Sequence, residues 1–178
     1  PNPYVFAILK ANAALNSDKT NIVPFLNAIS VQEEEFYLVS SEASFGNAGI
    51  STTRESKHGK FVHPEKIKGV NLEKLLSERY ADRLSRLSLI KVDTEGYDKE
   101  ILKSISGLIA ARKPVIIAES FGSSDAEAKM ELFDVIARHG YNISYFYDFN
   151  IDTQVIPITD RAQMTQWKDT VNIYAVPK

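Results

Sequence analysis

Acidic side chains follow two apolar runs of this sequence. Lys91, Asp93 and Glu95 alternate along the end of the first run, and Glu119 closes the second. While the chain stays extended, alternate residues point to the same side, so the spacing predicts that the first three side chains lie together. A carboxylate within hydrogen-bond reach of a hydroxyl can take its proton, and more effectively when burial raises its pKa. The pattern therefore indicates acid–base chemistry.

Each of these residues also has a structural interpretation. A lysine in an apolar strand needs a partner, so Lys91 and Asp93 can form a structural ion pair. Glu95 can favour the first turn of the next helix through the helix dipole. Asp98 is expected to cap that helix, and Glu119 can be structural too. Spacing alone supports an α/β domain with an acidic site at its strand ends.

The elements that position these acids follow the strand–helix alternation of an α/β sheet. The near-continuous apolar strands at 87–92 and 114–118 are typical of central parallel strands covered on both faces, and ligands bind beyond the carboxyl ends of such strands. The last two strands are expected to pair antiparallel at one edge. We predict helices at 3–16, 71–80, 98–105 and 125–139, strands at 21–29, 35–39, 87–92, 114–118, 141–149 and 170–176, and a surface loop at 40–60.

Composition excludes several classes of protein. The chain has 178 residues and a net charge of −2, which indicates one domain over 1–178 and no basic face for nucleic acid. It has no cysteine, so disulfides, thiolate zinc sites and cysteine nucleophiles are excluded. No apolar run is long enough for a membrane span. We expect a cytoplasmic protein. We also expect no bound metal, because His58 and His63 lack a metal-ligand spacing.

Glycines are few, and their placement excludes one kind of cofactor loop. The chain has 8 glycines, and no two of them have the G-x-G spacing. The sequence therefore contains neither a dinucleotide fingerprint nor a phosphate-binding P-loop.

The run from Leu89 to Lys103, LIKVDTEGYDKEILK, resembles the signature of the FkbM family of S-adenosylmethionine-dependent methyltransferases. The resemblance departs from the family pattern at Asp98, where glutamate is usual, and at Ser104, where glycine is common. Further segments resemble the family in the same order along the chain: 1–3, 27–30, 71–76 and 114–119.

The resemblance implies a Rossmann-like class I methyltransferase fold, mainly parallel with an antiparallel edge strand and helices on both faces. It implies methyl transfer from S-adenosylmethionine to a hydroxyl of a sugar or small metabolite. Glu95 would bind the acceptor or act as the base, and Lys91 would set the electrostatics of Asp93. Cofactor contacts would come from Asn2, Asn27, Ala28 and Asp93, and acceptor contacts from Asn47 and Glu119.

The resemblance also implies a missing part. The family's first strand and glycine-rich cofactor loop would lie upstream of Pro1, so we expect an N-terminally incomplete domain that binds the cofactor weakly by itself. The alternative is a non-catalytic α/β module that retains the fold and acts through protein interaction.

Overall fold

The computed structural model describes residues 1–42, 48–55 and 59–178. These residues form two compact units, Pro1–Asn71 and Leu72–Lys178, which we call the N-terminal and C-terminal units. The single domain expected over 1–178 stays a prediction. None of the helices in the described ranges has the length and apolar character needed to cross a bilayer.

The N-terminal unit contains one helix and a small mixed sheet. Asn2 caps the helix and Pro3 occupies its first turn, where a missing N–H costs nothing. In the sheet, β1 pairs parallel with β5, whereas β2 pairs antiparallel with β3, β4 and β5. The elements are α1 Pro3–Ala14, β1 Ala28–Ile29, β2 Glu35–Ser40, β3 Ala48–Ser51, β4 Phe61–Val62 and β5 Ile67–Val70.

Two predictions for this unit need correction. The strand expected at 21–29 is reduced to Ala28–Ile29, because β5 pairs with those two residues alone and the preceding Ile22 and Val23 stay exposed. The surface loop expected at 40–60 contains β3, whose backbone pairs with β2 from Tyr37 to Ser40. Residues 43–47 and 56–58 of that stretch lie outside the described part of the chain.

The C-terminal unit has a five-stranded sheet in the order β6-β7-β10-β8-β9. β6 and β7 are parallel, and the other neighbours are antiparallel. The helices are α2 Leu72–Arg79, α3 Asp98–Ser104, α4 Ser106–Arg112 and α5 Ala126–Ala137, with 3₁₀ helices at Ala81–Arg86 and Arg161–Thr165. The strands are β6 Leu89–Lys91, β7 Val115–Ser120, β8 Tyr141–Phe146, β9 Ile156–Ile158 and β10 Val171–Pro177.

The α/β class is confirmed, but the mainly parallel sheet is wrong. Of the eight strand pairings among the described residues, two are parallel. β6 lies at an edge of its sheet, and Leu89 is 53% exposed. The last two predicted strands do pair antiparallel, but β10 lies between β7 and β8, and the unpredicted β9 forms the edge.

β7 carries the site residue Glu119, and its burial alternates along the strand. Ile116, Ala118 and Ser120 are buried, whereas Ile117 and Glu119 are half-buried. Successive side chains of a strand point to opposite faces. The alternation therefore places Glu119 on the less covered face, at the carboxyl end of a strand that neighbours β6.

Candidate functional site

Lys91 and Asp93 form the ion pair that their spacing predicts. Lys91 Nζ lies 2.6 Å from Asp93 Oδ2. The two side chains are 43% and 52% exposed, so the expectation of a buried ammonium is wrong, because β6 is an edge strand. An exposed pair of this kind stabilises a fold by about 0–1 kcal/mol. Its effect is therefore on the charge of its surroundings rather than on stability.

The turn after β6 bends the chain back sharply. Glu95 has a φ of 55° and Gly96 a φ of 97°, both in the left-handed region. A side chain in that region costs roughly 1–2 kcal/mol, and such residues concentrate at functional sites. The chain therefore does not stay extended as far as Glu95, although the predicted clustering of the acids is right.

The carboxylates of Asp93, Glu95 and Glu119 converge at the strand ends. One oxygen from each residue can be chosen so that all three lie within 4.8 Å of one another. Glu119 reaches this point because β7 pairs parallel with β6 and ends beside it. We call these three residues the acidic cluster. Three oxygens at this separation could hold a cationic group or a metal ion, and the predicted absence of a metal stays a prediction.

Burial raises the pKa of Glu119 to about 7, and the negative charges of Asp93, Glu95 and Asp98 add to that rise. The positive charge of Lys91 acts against it. Glu119 Oε2 is buried, and the described residues offer it no hydrogen-bond partner. A carboxyl group that titrates near neutral pH is well matched to accept a proton under physiological conditions.

Asp98 positions the acidic cluster, a role that the sequence did not indicate. The expected capping role is wrong, because Tyr97 occupies the N-cap position of α3 and Asp98 is its first helical residue. The Asp98 side chain is 2% exposed and accepts hydrogen bonds from Thr94 and from the backbone N–H of Glu119. The sequence signal is only a short-range one, an acid four residues after a threonine.

Phe149 is a second neighbour that the sequence did not reveal. Lys91 Nζ lies 5.9 Å from the centroid of the Phe149 ring, which is within cation–π range. Phe149 is 63% exposed and meets Phe146 edge-on, with ring centroids 5.0 Å apart. The contact joins the segment after β8 to Lys91, the ion-pair partner of Asp93, and residues so distant in sequence give no local pattern.

The predicted cofactor residues other than Asp93 belong to the N-terminal unit. Asn2 Oδ1 accepts a hydrogen bond from Tyr4 N at 2.9 Å as the cap of α1. Asn27 Nδ2 donates to Lys68 O at 3.4 Å in an exposed contact, and Ala28 is buried in β1. Their cofactor roles stay predictions, and Asn47 lies outside the described residues.

Comparison with known proteins gives one match. A family model described as a methyltransferase FkbM domain matches residues 1–143. No curated protein and no solved structure matches the chain. The matched region contains every residue of the acidic cluster and extends as far as β8.

Proposed function

The chain belongs to the FkbM methyltransferase family, and from that premise we propose an S-adenosylmethionine-dependent methyltransferase that acts on a hydroxyl of a sugar or small metabolite. The supporting observation is Glu119. Its pKa is raised to about 7 at a strand end, beside Asp93 and Glu95. A hydroxyl acceptor needs a group that takes its proton, and a carboxyl with this pKa can do so near neutral pH.

The acidic cluster suits a cationic cofactor. S-adenosylmethionine, when bound, supplies an electrophilic methyl group on a sulfonium cation. Three converging carboxylate oxygens form a negative site for such a ligand, and the described residues offer no hydrogen-bond partner to the buried Oε2 of Glu119. In the proposal Asp93 holds the amino group of the cofactor's methionine end. Asn2, Asn27 and Ala28 remain proposed cofactor contacts, the last two beside the adenine.

The proposed roles at the acceptor differ from those that the resemblance implies. Glu119 takes the proton, because its carboxyl is the one whose pKa lies near neutrality. Glu95 accepts a hydrogen bond from the acceptor hydroxyl and positions it, since fixing the reactants accounts for most of the rate in a displacement. The charge of Lys91 limits the rise in the pKa of Glu119, so that part of that carboxyl is ionised at pH 7.

Labelled methyl transfer tests the proposal. The full-length protein is incubated with methyl-labelled S-adenosylmethionine and a panel of sugar and small-metabolite hydroxyls. We expect Glu119→Gln to lower turnover at saturating cofactor by about 10²–10⁴-fold, the usual contribution of a general base. Glu95→Gln should also lose turnover.

Glu78→Gln is the matched control, because Glu78 is an exposed glutamate of the same unit. It should retain wild-type turnover. Wild-type turnover in Glu119→Gln would remove Glu119 from the mechanism. A wild-type protein that neither binds the cofactor nor labels any acceptor would overturn the proposal and favour the non-catalytic interaction module.

A further inference from the structure

A cavity of about 280 Å³ opens on the C-terminal unit, between the loop after β7 and the segment that leads into β10. Its walls come from two stretches that are distant in sequence. Gly122, Ser124 and Lys129 contribute one side, and Trp167 and Lys168 contribute the other. We call it the Lys129 cavity.

Lys129 is a buried cation that has no counter-ion among the described residues. Its side chain is 6% exposed, and Nζ donates to the backbone oxygen of Trp167 at 3.0 Å. Within the described ranges 1–42, 48–55 and 59–178, Lys129 forms no ion pair with a carboxylate. An ammonium has three donors, and burying its charge without an opposite charge is costly. An anion in the cavity would supply that charge.

The remaining lining is also suited to an anion. Lys168, an exposed second lysine, and Ser124 are also among the lining residues. The described residues that line the cavity include no aspartate or glutamate. The nearby Asp125 caps α5, where its side chain accepts a hydrogen bond from Ala128 N, and it is not among the lining residues.

The walls of the cavity are held rigidly against each other. Gly122 N donates to Thr170 Oγ1 at 2.9 Å. A side chain at Gly122 would meet the backbone oxygen of Lys168 at 2.8 Å, closer than real contacts of that kind. Gly122 and residues 168–170 therefore approach each other closely, which holds together the two stretches that line the cavity.

The Lys129 cavity shares two lining residues with a cleft of the candidate site. Ser124 and Lys129 also line a narrower cleft, whose other walls include Gly96 and Glu119. Lys129 and Ser124 therefore belong to both spaces, although the cleft itself, at about 10 Å³, holds little more than one water. The cavity volume lies close to the lower limit for small-molecule sites, about 300 Å³.

We propose that the Lys129 cavity binds a carboxylate or phosphate group, and that this group belongs to the methyl acceptor. The binding of an anion is inferred from the cavity and its two lysines. The assignment of that anion to the methyl acceptor rests on the proposed function. Together they narrow the acceptor class to hydroxyl compounds that also carry an anionic group, such as a sugar phosphate or a hydroxy acid.

Anion binding tests the first part without any methyl transfer. Inorganic phosphate and acetate are titrated into the protein by calorimetry. Lys129→Met and Lys168→Met should each weaken binding at least about tenfold, since a charge-assisted hydrogen bond is lost. Lys178→Met, at an exposed position outside the cavity, should bind like the wild type.

Lys168→Met decides the question if Lys129→Met does not fold, because Lys168 is exposed. Unchanged affinity in the folded cavity variants would overturn the proposal. So would a wild-type protein that binds neither anion.

Matched acceptor pairs test the second part. A hydroxy acid and its neutral methyl ester are compared in the labelled methyl-transfer assay. Lys129→Met should raise the KM of the acid at least about tenfold and leave that of the ester unchanged. Equal KM changes for both would overturn the acceptor assignment. Anion binding without turnover of any acceptor would leave the cavity assigned and would count against the proposed function instead.

Discussion

The Asp98 carboxylate accepts a hydrogen bond from the backbone N–H of Glu119, with 2.9 Å between Oδ1 and N. Its other oxygen accepts from Thr94 Oγ1 at 2.8 Å and from Thr94 N at 3.3 Å. One buried side chain thus joins the turn after β6 to the end of β7. The separation between the Glu95 turn and Glu119 is set by this carboxylate.

Asp98→Asn tests this joining role. An amide cannot accept on both sides, so one N–H, of Thr94 or of Glu119, would face another donor. We expect the free energy of unfolding to fall by about 1–3 kcal/mol, measured by denaturant titration. Asp125→Asn should change it by a few tenths at most, because asparagine caps helices about as well as aspartate. A loss no larger than that of the control would refute the joining role.

The raised pKa of Glu119 makes stability depend on pH in a defined window. The folded protein holds the Glu119 proton up to about pH 7, whereas the unfolded chain releases it near pH 4.5. Stability from this group therefore falls as the pH rises from 4.5 to 7, and it is constant above. Glu119→Gln should be more stable than the wild type at pH 8, by on the order of 1–3 kcal/mol, because solvent screening reduces the full effect for this half-buried group.

Unfolding free energies at pH 5 and pH 8 check this prediction, because the gain of the variant should shrink at the lower pH. Glu78→Gln again serves as the control and should follow the wild type at both values. An equal gain at both pH values would mean that the stabilisation does not come from ionisation of Glu119.

Lys91→Met tests the charge coupling within the site. The Lys91 charge lowers the pKa of Glu119, so its removal should raise that pKa and move the acid limb of the turnover profile to higher pH. Stability should change by less than about 1 kcal/mol, because the pair with Asp93 is exposed. Carbon-13 titration of the Glu119 carboxyl gives a direct reading. Lys178→Met should leave the midpoint unchanged, and a downward shift in Lys91→Met would contradict the coupling.

Gly96→Ala separates backbone strain from crowding. A methyl group at Gly96 would lie 3.3 Å from Phe121 Cδ1 and 3.4 Å from Ser124 Oγ, at a φ of 97°. At Gly140 the φ is 73°, and nothing lies within 4 Å of the added carbon. Gly140→Ala should therefore cost about 1 kcal/mol from strain alone, and Gly96→Ala should cost more. Denaturant titration gives the free energy of unfolding of each variant. Equal losses in the two variants would mean that Phe121 and Ser124 move aside at no measurable cost.

Local sequence patterns predict the features that depend on neighbouring residues, such as helix starts and short-range ion pairs. α3 begins at Asp98 as expected, and α1 begins at Pro3, where the ring suits a first turn. The pairing of Lys91 with Asp93 also follows from a two-residue spacing. Each of these features depends on residues a few positions apart, so a short stretch of sequence is enough to predict it.

Long-range features escaped prediction because no short pattern encodes them. The apolar run at 87–92 is the same whether its strand is central or at an edge, and only the pairing shows that β6 has one neighbour. β9 contains Pro157, which is tolerated at a sheet edge but weakens the strand pattern. The pKa of Glu119 is raised by burial and then by charges carried by another segment. The sequence could predict that the acidic side chains lie together at the strand ends. It could not predict that Glu119 would be the acid whose pKa is most strongly raised.

The place of β10 in its sheet governs the order in which the C-terminal unit can assemble. β7 and β8 have no direct pairing, and each is hydrogen-bonded to β10, which follows both in the chain. During synthesis both strands therefore emerge before the strand that joins them, each with an unpaired edge that can capture another chain. A chain shortened before Val171 would keep both edges open.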